Sequence, residues 1–388
     1  MSPGRESILF ARNLFLPRDL GGNRYPYETM RRLGARGHPV TVVSPRLHDD
    51  FPALEGIRYH LYPVQRPHPA VSHLTNLLGA TLALRTVGKH DVAIAGSYDA
   101  ALALGWAAVA PRTPLVFLFH SELYSEWVQA RAVARQLLRR YMAAIEQRVF
   151  GLSARIIAVS EFSARQIRSR APNAAHKIRV LATGVETEFF RPPTSKASAR
   201  AELGLMTNEP LVLGVGRLAG VKQFDRLITA FAVASARGLK ARLAIAGDGP
   251  EGPKLEHLIA TYGMGDRITF AGYCDPPRLR AYMQAADLQV CTSAFENLSL
   301  AILEGMACGT PVLGTPGGGT PELVGAVDPK LVLDDDHAHT LADALPGWLA
   351  DRDRLAVLGQ RARQLAVDRY DWERVVDGLE AVCSEVAA

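Results

Sequence analysis

Short apolar runs alternate with longer amphipathic segments along almost the whole of this 388-residue chain, and that rhythm constrains the fold more than any single motif. Runs at 7–10, 40–43, 91–95, 115–119 and 155–159 read as strands, and a second series follows at 210–215, 241–246, 267–270, 288–291 and 311–314. Between them lie helical patterns such as 25–36, 130–150, 223–236 and 297–307. Strands that are apolar at nearly every position need cover on both faces, which predicts parallel sheets with helices on each side. The rhythm restarts after 186–200, where paired prolines among Ser, Lys and Ala read as a linker. The expectation is an α/β chain of two doubly wound, Rossmann-like domains facing each other across a cleft. The length agrees, since one compact core commonly holds about 150 residues. In such sheets ligands sit beyond the carboxyl ends of the strands, so functional side chains are expected immediately after strands.

Composition narrows the function classes. Hydrophobic residues make up 48% and charged residues 21%, the balance of a globular chain rather than a disordered one. The first residues carry Arg5, Glu6 and Arg12 around a four-residue apolar run, so no secretory signal is expected. No uncharged stretch resembles the roughly 20 apolar residues of a membrane-spanning helix. Cys274, Cys291, Cys308 and Cys383 contain no CxxC pairing, which favours reduced, buried thiols and a cytoplasmic setting over a disulfide frame or a zinc site. The formal net charge of +5 hides a division. Residues 1–190 hold 24 Lys and Arg against 14 Asp and Glu, whereas residues 191–388 hold 20 against 25. A basic half joined to an acidic half predicts two domains with different partners.

The second series opens with LVLGVGRLAGVK, residues 211–222. A strand running into Gly214 and Gly216 is followed by Arg217 and, five residues on, by Lys222. Glycines let a backbone approach a ligand closely, and two cations can neutralise a diphosphate. The same stretch fits the GxGxxG/A pattern of a dinucleotide site. That pattern expects an acid about 20 residues on, and the nearest strand-end acid here, Asp248, is 32 residues after Gly216. The most specific segment is TSAFENLSLAILEGMACGTPV, residues 292–312. On one helix Glu296 and Glu304 would stand about 80° apart. The better reading puts Glu296 in the turn after a strand and Glu304 two turns inside a helix that begins near 297–299. The free N–H groups of that start attract an anion, Glu304 can accept hydrogen bonds from vicinal hydroxyls, and Glu296 can reach a second polyol.

Taken in order, these pieces resemble a retaining glycosyltransferase of the GT-B fold, family 4. The resemblance runs nearly end to end: the Gly21–Gly22 loop, RGHPVTVVSP at 36–45, and His120 closing the strand PLVFLF. It continues through ATGVETEFF at 182–190, GRLAGVKQFDRLI at 216–228, AGDGP at 246–250 and FAGY at 270–273. The last pieces are the long segment around Glu296 and Glu304, and GGGTPELV at 317–324. It implies an acceptor-binding domain over 1–188, joined by a crossing helix over 372–388, and a donor-binding domain over 189–371. It further implies that Arg217 and Lys222 grip the donor diphosphate and that Glu304 holds the nucleotide ribose. Glu296 would contact the donor sugar, and the amides of Asn297, Leu298 and Ser299 would help hold phosphate or sugar. Gly216 and Tyr273 complete the donor wall, with Tyr273 beside the nucleobase. Gly21 and Gly22 would close over the diphosphate from the other domain, and His120 would sit beside the reacting centre. Gln223 stands where glycine commonly follows the lysine, and Asn297-Leu298-Ser299 replaces a frequent glycine-aromatic-glycine.

The implied chemistry is same-face hexosyl transfer from a nucleoside-diphosphate sugar, a UDP-sugar ahead of a GDP-sugar, with no metal and no cofactor. The acceptor class is a glycan, a glycolipid or a small molecule, and nucleic acid is not expected as a partner. Asp334-Asp335-Asp336 and Asp351-Arg352-Asp353 match the DxD of metal-dependent transferases in form, but both lie late in the chain beside polar turns and read as solvated acids. In 130–150 the residues Ala134, Leu137, Leu138, Tyr141 and Ile145 form an apolar stripe beside a row of Arg131, Arg135 and Arg139. That row reads either as a solvated face or as a patch for anionic lipid or a phosphorylated acceptor. Two other functions compete with glycosyl transfer: a nicotinamide-dependent oxidoreductase and a non-catalytic nucleotide-sugar binding protein.

Overall fold

The computed structural model describes residues 5–12, 24–46, 54–63, 69–109, 112–119, 132–205 and 208–388. Gly21, Gly22, His120 and Arg131 lie outside the described residues, as do the side chains of residues 69–76 and 132–139. Contacts divide the chain into two compact units, residues 1–183 with 372–388, and residues 184–371. The break falls at 183/184 rather than at 188/189. Residues 184–190 belong to the second unit, because Val185 N donates to Tyr370 O at 2.7 Å and Arg363 Nη1 donates to the carbonyls of Thr187 and Phe190 at 2.7 and 2.9 Å.

Among the described residues, the first unit carries seven parallel strands: β1 (Ile8–Ala11), β2 (Val40–Arg46), β3 (Ile57–Pro63), β4 (Val92–Ala95), β5 (Leu115–Phe119), β6 (Arg155–Ala158) and β7 (Ile178–Val180), in the order β3-β2-β1-β4-β5-β6-β7. Successive side chains of a strand point to opposite faces, and the apolar runs use both. Leu9, Ala11, Ala93, Ala95, Phe117 and Phe119 enter one core, while Ile8, Phe10, Val92, Ile94, Val116 and Leu118 enter the other. That two-sided burial is why these strands read as unbroken apolar runs. Strands β3 and β7 were not expected from the sequence. Both are edges: β3 carries Arg58 and His60 on a half-exposed face, and β7 has only three residues.

The second core is closed by the last helix, Trp372–Ala387, which lies in the first unit. Trp372 is fully buried with its ring 5.9 Å from that of Tyr25. A charge ladder fixes the same helix. Arg36 reaches Glu373, Asp377 and Glu380 at 2.6–2.8 Å, Arg32 reaches Glu373 at 3.0 Å, and Arg155 and Arg179 both reach Glu385. Part of the positive excess of the first half is therefore matched inside the unit.

Of the stripe expected along the helix Ala132–Leu152, the side chains of Ala134, Leu137 and Leu138 lie outside the described residues, Ile145 packs against the first core, and Tyr141 alone departs. Tyr141 is exposed, and the buried face runs through Met142, Glu146 and Val149. Glu146 can face the core because Tyr98 Oη donates to it at 3.1 Å and Arg170 pairs with it at 3.2 Å. Among the described residues, no helix is long and apolar enough to cross a membrane.

The second unit repeats the design with five parallel strands, β8 (Leu211–Val215), β9 (Arg242–Ala246), β10 (Ile268–Gly272), β11 (Leu288–Cys291) and β12 (Val312–Gly314), ordered β10-β9-β8-β11-β12. Strand order reverses between β8 and β11, which pair in register through Leu288 with Val212 and Val290 with Gly214. A ligand crevice forms outside the carboxyl ends of strands at such a reversal.

Candidate functional site

Two loops leave the sheet side by side at that reversal. After β8 the chain passes Gly216 and Arg217, makes a short turn over Gly220–Lys222, and enters the helix Phe224–Ala236. After β11 it passes Thr292 to Ser299 and enters the helix Leu300–Ala307. Because β8 and β11 are neighbours, the loops bond directly. Thr292 Oγ1 donates to Lys222 O at 2.9 Å, and Ala294 N donates to Val221 O at 2.9 Å. These bonds bring Lys222 Nζ onto the Glu296 carboxylate, an ion pair between side chains only 21% and 12% exposed. Two residues 74 positions apart in sequence thus meet. The carbonyl of Arg217 accepts from Ala219 N at 2.8 Å, while its exposed side chain has no hydrogen-bond or ion-pair partner among the described residues.

The Glu296 loop rests on a second backbone. A Cβ on Gly317, Gly318 or Gly319 would come within 2.2–2.4 Å of the carbonyl oxygens of Ser293, Glu296 and Asn297 respectively, and Gly318 also adopts φ +61°. Gly319 N donates to Glu296 O at 2.6 Å. Three consecutive glycines are needed because the two main chains touch where side chains would otherwise stand. That contact also explains where the following helix starts. Residues 297–299 lie in the supported loop, so the helix begins at Leu300 with Ser299 as its N-cap, later than the 297–307 pattern predicts. Glu304 is consequently about one turn inside the helix, not two. It is 6% exposed.

Gln223 is left-handed at φ +50°, and its Oε1 is buried without a hydrogen-bond partner. Tyr273 follows the edge strand β10, two strands from β8, and is 58% exposed. Asp248 follows β9, where a dinucleotide site would want its acid. Its Oδ1 accepts from Gly249 N at 2.7 Å, and its carbonyl accepts from Leu218 N at 2.9 Å. The late acids do local work. Asp336 pairs with Arg226, Asp335 Oδ1 accepts from His337 N at 2.9 Å, and Asp351 caps the helix Arg352–Tyr370 by accepting from Arg354 N at 2.9 Å. Among the described residues, no group of three or more His, Cys, Asp or Glu is arranged to hold a metal ion. The supporting role of 317–319 was missed in the residue pattern, although a run of three glycines after a strand was the available signal.

Comparison with known proteins agrees with this geometry. Residues 21–189 match the family described as Glycosyltransferase Family 4, and residues 195–365 match Glycosyl transferases group 1. The chain is 30% identical, over 96% of both lengths, to a GDP-mannose-dependent alpha-(1-6)-phosphatidylinositol monomannoside mannosyltransferase of Mycobacterium tuberculosis. It is also 30% identical to a D-inositol 3-phosphate glycosyltransferase of Acidothermus cellulolyticus, over 95% of this chain and 87% of that one. Among solved structures, a sucrose-phosphate synthase from Thermosynechococcus elongatus superposes with a TM-score of 0.82 at 22% identity, covering 98% of this chain and 99% of the other.

Proposed function

The chain belongs to glycosyltransferase family 4, and from that premise we propose that it moves a hexosyl group from a nucleoside-diphosphate sugar to an acceptor bearing a phosphorylated inositol, with retention at the anomeric carbon. The Lys222–Glu296 pair at the β8/β11 reversal carries this reading, because it puts a cation for a diphosphate against an acceptor for a sugar hydroxyl. Arg217 and Lys222 hold the diphosphate. Glu304 accepts from the ribose hydroxyls, and Glu296 accepts from a hydroxyl of the donor sugar. The amides of Asn297, Leu298 and Ser299 add positive potential at the start of a helix, and Tyr273 lines the nucleobase. Family resemblance adds Gly21 and Gly22 as ligands of the diphosphate and His120 as a residue acting on the reacting groups.

In the transfer step the bond between the anomeric carbon and the diphosphate oxygen breaks, and the acceptor oxygen bonds to that carbon on the same face. The acceptor proton passes to the leaving diphosphate. Fixed cations aimed at the departing oxygens stabilise the charge as it develops, so the step is written without a metal ion. His120 positions the reacting groups rather than serving as an obligatory base.

The acceptor class comes from the relatives. One acts on a phosphatidylinositol mannoside and the other on an inositol 3-phosphate, so the chemistry common to their names is an inositol ring carrying phosphate. On the name of that relative, the proposal takes GDP-mannose as the first donor to test, ahead of the UDP-sugar expected from sequence. A panel of GDP- and UDP-hexoses, each with inositol phosphate as acceptor, tests this through released nucleotide and the anomeric proton coupling of the product. Nucleotide release with no hexosyl product, or a product of inverted configuration, defeats the proposal. Glu304→Ala should bind the nucleotide about 10- to 100-fold more weakly, the loss of a charge-assisted hydrogen bond. Unchanged affinity removes Glu304 from the site.

A further inference from the structure

A buried carboxamide sits beneath the helix that carries Glu304. Gln289 lies in the middle of β11, paired with Leu213 on β8 and with Val312 on β12, and is 1% exposed. Its side chain rises to the helix Leu300–Ala307, where Nε2 donates to Ala301 O at 2.9 Å. Its Oε1 is buried with no hydrogen-bond partner. The carboxamide lies flat against Gly305, where a Cβ would come within 2.0 Å of Oε1 and 3.0 Å of Cδ. An apolar side chain would fill the same space without burying an unsatisfied oxygen, which is costly in a protein interior. The arrangement is poor as packing, and its consequence is geometric.

Ala301 O is the carbonyl one turn ahead of Gly305, so it is the natural acceptor for the Gly305 amide of the same helix. The bond from Gln289 therefore ties the 301–305 turn to β11 at a second point. Glu296 hangs from the carboxyl end of β11, and Glu304 belongs to the tied turn. We propose that Gln289 is a positioning residue for Glu304. Together with the side-chain-free surface of Gly305, it sets the height of the helix over β11 and hence the spacing of the two carboxylates. This inference rests on the reading of Glu304 as the nucleotide ligand.

The test titrates GDP and UDP into the full chain by calorimetry, for the parent and for Gln289→Met, Gly305→Ala, the double variant and Glu304→Ala, with melting temperatures alongside. Methionine keeps the length of the side chain and lacks the donor. Gln289→Met should melt within about 3 °C of the parent. It should bind nucleotide about 10-fold more weakly, less than the roughly 100-fold that an ångström's misplacement of a group can cost. Its KM for the acceptor should not change, which separates positioning from a general loosening of the domain. Gly305→Ala should show the same binding defect, and the double variant should be no worse than either single, because both act on one contact. Parental nucleotide binding by a stable Gln289→Met, or defects that add in the double variant, overturn the inference while a weak Glu304→Ala leaves the ribose reading intact. Parental binding by Glu304→Ala overturns both.

Discussion

Removing the carboxylate of Glu296 should make the protein hold a nucleoside diphosphate more tightly while it transfers sugar more slowly. The Lys222 ammonium is paired with that carboxylate, and neither side chain is more than 21% exposed. A diphosphate that takes Lys222 as its ligand must draw it from Glu296 and must approach Glu296 itself. At the effective dielectric of a partly buried pair, the direct attraction is about 4 kcal/mol at 4 Å. Desolvation and side-chain ordering cancel much of it, leaving roughly 1–2 kcal/mol net. Glu296→Gln keeps the shape, removes the competing charge and also removes its repulsion of the incoming phosphates. GDP or UDP should bind the variant about 5- to 30-fold more tightly. Turnover should fall about 100-fold or more, since a neutral amide is a weaker partner for the sugar hydroxyl whose contact matters in the transition state. Calorimetry at 25 °C at two salt concentrations measures the first effect, and the gain should shrink as salt rises. The apo variant should also melt lower, because an unpaired half-buried ammonium is left behind, and added nucleotide should restore it by more than it raises the parent. Nucleotide affinity equal to or weaker than that of the parent refutes the reasoning, since Lys222 would then not be the group the diphosphate must capture.

Gly318→Ala should abolish transfer in a protein that still folds, because the new Cβ meets Glu296 O at 2.2 Å on a residue at φ +61° and the Glu296 loop has to lift; parental turnover by this variant contradicts the support assigned to 317–319. The carboxyls of Glu373 and Glu385 are held below their usual range, first by hydrogen bonds from Arg36 and Arg155 respectively. A depressed folded pKa stabilises above the unfolded value of about 4.3 and is lost as pH falls through the folded one. Amide protection factors in the helix Trp372–Ala387 should therefore fall below about pH 4.3 before those of β5 follow, and simultaneous loss of protection in both segments tells against the ladder. Burial pushes the Cys383 thiol up to about 12 and raises Cys274, Cys291 and Cys308 as well. An aromatic disulfide reagent at pH 8 should thus find no fast-reacting thiol in the native protein and four in guanidinium; a rapid native stoichiometry of one or more contradicts the burial.

What could be read from the residues and what could not follow from one physical distinction. Strands such as β1, β4 and β5 are buried on both faces, so their sequence is apolar at every position and stands out in one dimension. The edge strands β3 and β7 have partners on one side only, tolerate Arg58, His60 and Arg179, and carry no such mark. In the same way Arg217, Lys222 and Glu296 stand out in the sequence as charges in the loops that leave β8 and β11, and Glu304 stands out as an acid in an otherwise apolar short helix. The helix start at Leu300 is not legible, because it depends on 317–319, some twenty residues away, whose side-chain-free surface the Glu296 loop occupies. Gln289 reads as one polar residue in a strand until Gly305 is seen opposite it. Pairs that constrain each other through steric absence leave no periodicity and no charge pattern to detect.

The charge division of the chain changes meaning once the last helix is placed. Counted along the sequence, the first half is strongly basic and invites an anionic partner. In the folded unit, Arg32, Arg36, Arg155 and Arg179 already face Glu373, Asp377, Glu380 and Glu385 of a helix contributed by the other half. Those four cations are not available to an acceptor. Under the proposed function, the phosphate of the acceptor would be met by cations outside this ladder. Charge reversal within the ladder should accordingly act on stability and leave acceptor KM alone. Arg36→Glu, which faces three carboxylates at once, should lower the melting temperature by several degrees. A stable Arg36→Glu with a raised KM for inositol phosphate would return Arg36 to the acceptor site and reverse this division of labour.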